Sequence, residues 1–278
     1  MPDLAKVTEK IINERRRNNL SPLPVIYEDN HLLVVEKYPF VLSQPDGSKK
    51  TDALTLGKEY IRLESIKANR PKNGGIYLTP CHRLDYTVGG VLLLAKTDKA
   101  AGRMQKNGNG AFISKKYVAV SERNTQAWEL LQNKLAEVKI DEDIYYVLTG
   151  YAAKDSKQMK AVVRLNEAQG YKPVSLLLRL LVDTPTAYIW QIILQTGRFH
   201  QIRAQLALAN LPLLGDYKYN QRDKGEFSGP LLWSYQLEIK HPVKPENMCF
   251  NSYPEELNFG KYAQTVCNAL CPENMLRK

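Results

Sequence analysis

Cysteine and histidine are both scarce in this 278-residue sequence, four of each. Of Cys81, Cys249, Cys267 and Cys271, only the last two are close together. They are spaced for one helix face, with no nearby histidine or second pair to complete a tetrahedral zinc site. So few cysteines also exclude a disulfide scaffold, and a reducing, cytoplasmic location is expected. No glycine-rich dinucleotide fingerprint and no P-loop is present, so cofactor and metal are both expected to be none. No apolar run reaches the length of a membrane-spanning helix, and the first residues, MPDLAKVTEKIINERRRNNL, lack a signal core. No membrane partner is expected. Low-complexity segments and internal repeats are absent too. Acidic charge is the last shortage: 39 Lys and Arg against 29 Asp and Glu leave +10 at pH 7. Such a surplus suits a polyanion, because each neutralised phosphate releases condensed counterions, and nucleic acid is the leading candidate.

What is present reads as an ordinary globular chain, 44% hydrophobic and 24% charged, long enough to bury a sizeable core. Leu4, Val7, Ile11 and Ile12 recur at helical spacing, so residues 1–22 form a helical extension ending in Arg15-Arg16-Arg17. That basic end suits the negative pole of the helix dipole or an RNA contact. "VIYEDNHLLVVEK" predicts strand, Asp29-Asn30 turn and strand. Helices are expected over 51–68, 98–105, 125–138 and 199–208, and strands over 91–95, 112–120, 144–148, 160–164, 175–181, 187–195 and 231–239. Strands cluster without regular intervening helices, which excludes a doubly wound parallel sheet. The expected class is α+β, with a mixed, largely antiparallel sheet and flanking helices. Residues 23–278 are expected to form one catalytic domain, in a protein acting as a monomer.

Two stretches carry chemistry. In "TPCHRLDYTVGGVLLLAKT", Asp85 lies in a loop ahead of Gly89-Gly90 and a buried strand, where a carboxylate can be held rigidly. A turn-capping aspartate has the same local pattern. In "LQTGRFHQIRAQLALANLPLLGDYKY", Arg198, His200, Gln201 and Arg203 crowd behind a Thr-Gly turn at the start of a helix. One such arginine alone would read as a solvated helix start; four polar groups together favour a working site.

"HRLDYTVGGVLLLAKT", "KKYVAV" and "TGRFHQIRAQLALANLPLLGDYKY" resemble the three signature blocks of the RluA-type pseudouridine synthases. The resemblance runs over roughly residues 23–243. It implies the pseudouridine synthase fold and an isomerase that converts uridine to pseudouridine in ribosomal or transfer RNA. By that match Asp85 is the nucleophile, Tyr117 the active-site tyrosine and Arg203 the basic residue paired with the aspartate. Leu232 flanks the base, in "LLWSYQLEI", which departs from the family's usual Leu-His-Ala. His82, Arg83, Arg198, His200 and Gln201 fall in the matched blocks as substrate-binding candidates. The chemistry suits these residue types. An ionised carboxylate can attack C1′ or assist glycal formation, and an arginine nearby keeps it ionised and directed. A tyrosine can receive the unstacked uracil and accept the C5 proton.

Three features depart from the family. Val88-Gly89-Gly90 stands where Thr-Ser-Gly is usual, removing two hydroxyls. Lys37-Tyr38-Pro39-Phe40 replaces a lysine-proline-glycine turn. Residues 1–22 leave no room for an S4-type RNA-binding domain, so target recognition is expected to rest on the catalytic domain and its basic surface. The alternative is a catalytically inactive RNA-binding protein or RNA chaperone keeping the fold. A metal-dependent nuclease would need clustered carboxylates, and Asp85 has no acidic neighbour in its loop.

Overall fold

A computed structural model describes residues 3–70, 74–106, 111–222 and 225–271. The chain begins with α1 (Leu4–Arg17), β1 (Val25–Glu28), β2 (Leu32–Lys37), α2 (Ala53–Lys67), β3 (Thr79–Pro80), β4 (Gly89–Ala95) and α3 (Asp98–Lys106). It continues through β5 (Phe112–Glu122), α4 (Thr125–Gln132), β6 (Glu137–Ile140), β7 (Asp143–Asp155), β8 (Lys160–Arg164), β9 (Lys172–Asp183) and β10 (Ala187–Leu194). It closes with α5 (Gln201–Leu208), β11 (Leu232–Lys240), β12 (Asn247–Asn251), α6 (Glu256–Phe259), a 3-10 turn (Gly260–Tyr262) and α7 (Ala263–Leu270). The class is α+β, as the sequence implies, and the described strand pairings with a stated register are antiparallel.

Two compact units divide the chain: Met1–Ile113 with Ser234–Ser252, and Ser114–Trp233 with Tyr253–Lys278. In the first, strands run in the order β1-β2-β4-β11, with β12 beside β11 and β3 beside β4. β4 is buried at every position, which is why its run reads as continuously apolar rather than alternating. Leu32, Val34, Val91, Leu93, Met104, Leu237, Ile239 and Phe250 form the core beneath these strands. The strand expected from Val91 begins two residues earlier, so Gly89 and Gly90 belong to the strand itself. Gly90 sits at φ 118, and a Cβ there would run into the backbone of Ser234 in β11. Close strand approach, rather than a turn, fixes this residue as glycine. Asp52 caps α2 by accepting the Thr55 amide at 2.8 Å. Arg16, one of the three terminal arginines of α1, forms a two-pronged pair with Glu59 at 2.7 and 2.8 Å, and Arg15 donates to the Ser21 carbonyl at 2.6 Å. Those two side chains fasten the end of α1 within the unit.

In the second unit the order is β5-β10-β9-β7-β6, with β8 beside β7. Trp190 of β10 is fully buried; its indole N–H donates to Ser121 at 2.8 Å and its ring meets Trp128 edge-on at 4.8 Å. Such an aromatic pair contributes about 0.5–1.5 kcal/mol beyond area burial. The helix expected over 125–138 stops at Gln132, with Asn133 as its C-cap, and Val138 lies in β6, paired with Tyr145. The β-branched Val138 and Ile140, either side of Lys139, found strand partners that local spacing does not reveal. α5 begins at Gln201, two residues later than expected, because His200 adopts the left-handed region at φ 50.

Candidate active site

The loop between β3 and β4 is built from the inside out. His82 is half-buried, and its Nε2 accepts the Leu93 amide of β4 at 3.2 Å. Arg83 is exposed and Leu84 is buried. Both backbone polar groups of Leu84 are satisfied by one hydroxyl: its N–H donates to Ser43 Oγ, and Ser43 donates to its carbonyl, each at 2.9 Å. Asp85 is half-buried, and its carbonyl accepts the Val88 amide at 3.0 Å. The Tyr86 carbonyl accepts the Phe40 amide at 2.7 Å. The backbone on either side of the carboxylate is thereby fixed.

β2 ends in Lys37, which has no exposed surface and donates through Nζ to the carbonyls of Tyr38 (3.0 Å) and Val41 (2.7 Å). Burial pushes its pKa from the ordinary 10.5 down to about 7, while the Asp85 carboxylate pulls it back up. Within the first unit, Lys37 and Asp85 thus act on one another electrostatically. The sequence offers little to single out the lysine. Lysine at a strand end normally snorkels to water, and its burial comes from the turn that follows.

Tyr117 lies in β5, buried and opposite Ile192 of β10. Two residues earlier, Lys115 brings its amine to 3.8 Å from where a Cβ on Gly197 would sit, and burial lowers its pKa. Leu232 is buried at the start of β11, its amide donating to the Pro230 carbonyl at 2.8 Å. Tyr117, Leu232 and the block 196–219 belong to the second unit, whereas His82, Arg83 and Asp85 belong to the first.

Hydrogen bonding explains the density of polar residues in the TGRFHQIR block. Gln201 is buried; its Oε1 accepts from the Thr196 hydroxyl (2.8 Å) and the Arg198 amide (3.1 Å). Its Nε2 donates to the Ser175 carbonyl (3.1 Å) and to Gln205 (2.9 Å). The His200 ring stacks on Phe199 at 3.8 Å, and its Nδ1 lies 3.0 Å from the Tyr219 hydroxyl. Gln201 and His200 thus hold the turn in shape, leaving Arg198 exposed on it.

Arg203 is buried, and its guanidinium grips Asp216 with two hydrogen bonds, Nε to Oδ2 at 2.7 Å and Nη2 to Oδ1 at 2.8 Å. The Tyr219 ring lies 5.2 Å from the same guanidinium. Gly215, at φ 76, makes this possible, since a Cβ there would strike the Gly229 carbonyl. The PLLGD segment therefore has a physical role that its sequence does not announce: it places a buried carboxylate against the arginine fork. Within the second unit, Asp216 is a carboxylate held on the Arg203 guanidinium.

Burial, reinforced by Arg203 and Lys218, pushes the His200 pKa from 6.5 down to about 3. Between those values the unfolded chain binds a proton that the folded chain refuses, so this group's contribution is lost as pH falls through the window. Urea melts at pH 7 and pH 5 should therefore show a smaller acid loss in His200→Asn, which keeps the left-handed backbone, than in the wild type. An equal loss in both would place the acid sensitivity elsewhere.

Comparison with known proteins sets the class: the family model described as RNA pseudouridylate synthase matches residues 31–208. The chain belongs to the RNA pseudouridylate synthase family, and it is an RNA-modifying isomerase. It is 25% identical to the dual-specificity RNA pseudouridine synthase RluA of Haemophilus influenzae, over 83% of this chain and 92% of that one. It is 26% identical to the ribosomal large subunit pseudouridine synthase C of Buchnera aphidicola, over 94% of this chain and 76% of the relative. The solved structure of human RNA pseudouridylate synthase domain containing 4 shares its fold at a TM-score of 0.61 and 16% identity, covering 95% of this chain and 96% of that one.

Proposed function

We propose that the protein isomerises particular uridines in ribosomal or transfer RNA, with Asp85 as the nucleophile. The observation that carries this reading is the setting of Asp85, half-buried between backbone groups held by Ser43 and Phe40 and acted on by the buried Lys37 ammonium. A rigid carboxylate near a cation is oriented for attack on an electrophilic carbon. The N1–C1′ bond breaks with its electron pair staying on N1 as Asp85 captures C1′ or assists glycal formation; the uracil turns, C5 bonds to C1′ as the carboxylate is released or the glycal consumed, the C5 proton leaves and N1 takes up a proton. Atoms and electrons balance within the nucleotide, so the reaction is an isomerisation with no co-reactant. Tyr117 receives the uracil and relays the C5 proton, Leu232 lines the base, and Arg203 supplies fixed positive charge. Exposed Arg83 and Arg198 meet phosphates, as the +10 net charge favours. The relatives' names support ribosomal and transfer RNA as the substrate classes to try.

Tritium release from RNA labelled at uridine C5 tests the reading. Purified protein incubated with ribosomal and transfer RNA lacking pseudouridine should release tritium stoichiometrically from a small number of sites. No release above background from either RNA would overturn the substrate assignment.

A further inference from the structure

The altered turn Lys37-Tyr38-Pro39-Phe40 is unlike an ordinary loop. Phe40 has φ 63, a left-handed conformation that a bulky side chain resists. Such a residue persists only where its surroundings over-determine it, and here they do. Its amide donates to the Tyr86 carbonyl at 2.7 Å, and its ring meets the Tyr86 ring edge-on at 5.6 Å and 88°. Behind it, Thr8 of α1, itself buried, donates its hydroxyl to the Pro39 carbonyl at 3.2 Å. In front, Ser43 makes its reciprocal pair with Leu84. Lys50 lies 4.3 Å over the other aromatic partner, Tyr86. Leu84 and Tyr86 flank Asp85, so residues 40 and 43 hold the chain on each side of the carboxylate, and α1 holds the turn. All of these residues lie in the first unit.

We propose that the 37–43 turn, seated on α1, is a clamp that positions Asp85, with Phe40 and Ser43 as positioning residues. This inference rests on Asp85 being the nucleophile. It gives the N-terminal helix a part in catalysis that its basic end alone would not suggest. It also fits Val88 and Gly89 standing where the family usually has two hydroxyls: orientation of the carboxylate comes from the turn, through Ser43 and Phe40, instead of from the strand start.

Phe40→Gly keeps the left-handed backbone and removes the ring; Ser43→Ala removes both bonds to Leu84. Each should lower kcat about 10- to 100-fold, since small misplacements of a reacting group have effects of that size. The Kd for RNA should stay within about twofold of wild type, because neither residue is proposed to touch RNA. Phe40→Tyr and Ser43→Thr should restore most of the rate. Thermal melts confirm that each variant is folded at the assay temperature, and the two variants act at separate points should one of them fail to fold. Wild-type kcat in folded Phe40→Gly and Ser43→Ala would overturn the clamp. So would an unchanged kcat with a Kd raised tenfold or more, which would make the turn an RNA contact. Asp85→Asn is measured alongside. If it is inactive while both clamp variants turn over normally, the clamp alone is wrong; if it is fully active, the nucleophile assignment is wrong and the clamp falls with it.

Discussion

Asp85→Asn should reduce isomerisation by about 10³-fold or more while leaving RNA affinity and folding close to wild type. The amide keeps the size and shape of the side chain, and the backbone groups around it are held by Ser43 and Phe40 through bonds that do not involve the carboxylate. Only the negative charge and the nucleophile disappear. The loss should therefore fall on kcat, with the Kd from RNA titration unchanged. The buried Lys37 provides a second readout. The Asp85 carboxylate works against the fall of the lysine pKa, so its removal leaves only burial acting on that group. The lysine then holds its proton less firmly. A folded-state pKa already depressed toward 7 makes stability rise with pH between about 7 and 10.5, and the variant should steepen that rise. Chemical melts at pH 7 and pH 9 measure it.

The second large effect concerns stability. Asp216→Ala leaves the Arg203 guanidinium buried without the carboxylate that fills its fork. Breaking such a pair from one side is expected to destabilise by about 3–5 kcal/mol. For units of this size that is a drop in Tm of roughly 6–20 °C. Replacing both residues, Arg203→Met with Asp216→Leu, should recover much of the stability because no buried charge is left over. Activity should not return with it, since the guanidinium proposed for the site is gone. Recovery of both would make the pair purely structural; a small effect of Asp216→Ala would mean that the pair carries little of the fold.

Local pattern made much of this architecture legible. The apolar run ending at Ala95 had to be a buried strand, and the Asp29-Asn30 turn lies between two strands as expected. The resemblance of the three sequence blocks led to the family that the comparisons establish. What stayed illegible depends on contacts between residues distant in sequence. Nothing near Val138 says that Tyr145 will pair with it and end the helical spacing of 125–138. Lys37 looks like a solvent lysine until the Tyr38 and Val41 carbonyls close on it. Ser43 and Leu84, 41 positions apart, reveal their mutual bonds only once the chain is folded. His200 and Gln201 read as substrate groups by their polarity, yet their visible hydrogen bonds shape the turn that carries Arg198. Polar residues packed beside a glycine signal a constrained structure as strongly as they signal a ligand.

The central claim is that this chain makes pseudouridine in cellular RNA through Asp85. Pseudouridine mapping across ribosomal and transfer RNA tests it most directly, in cells lacking the gene and in the same cells given wild type or Asp85→Asn. At least one pseudouridine should vanish on deletion, return with wild type and stay absent with Asp85→Asn expressed at the same level. Restoration by Asp85→Asn, or a map unchanged by deletion, would contradict the account.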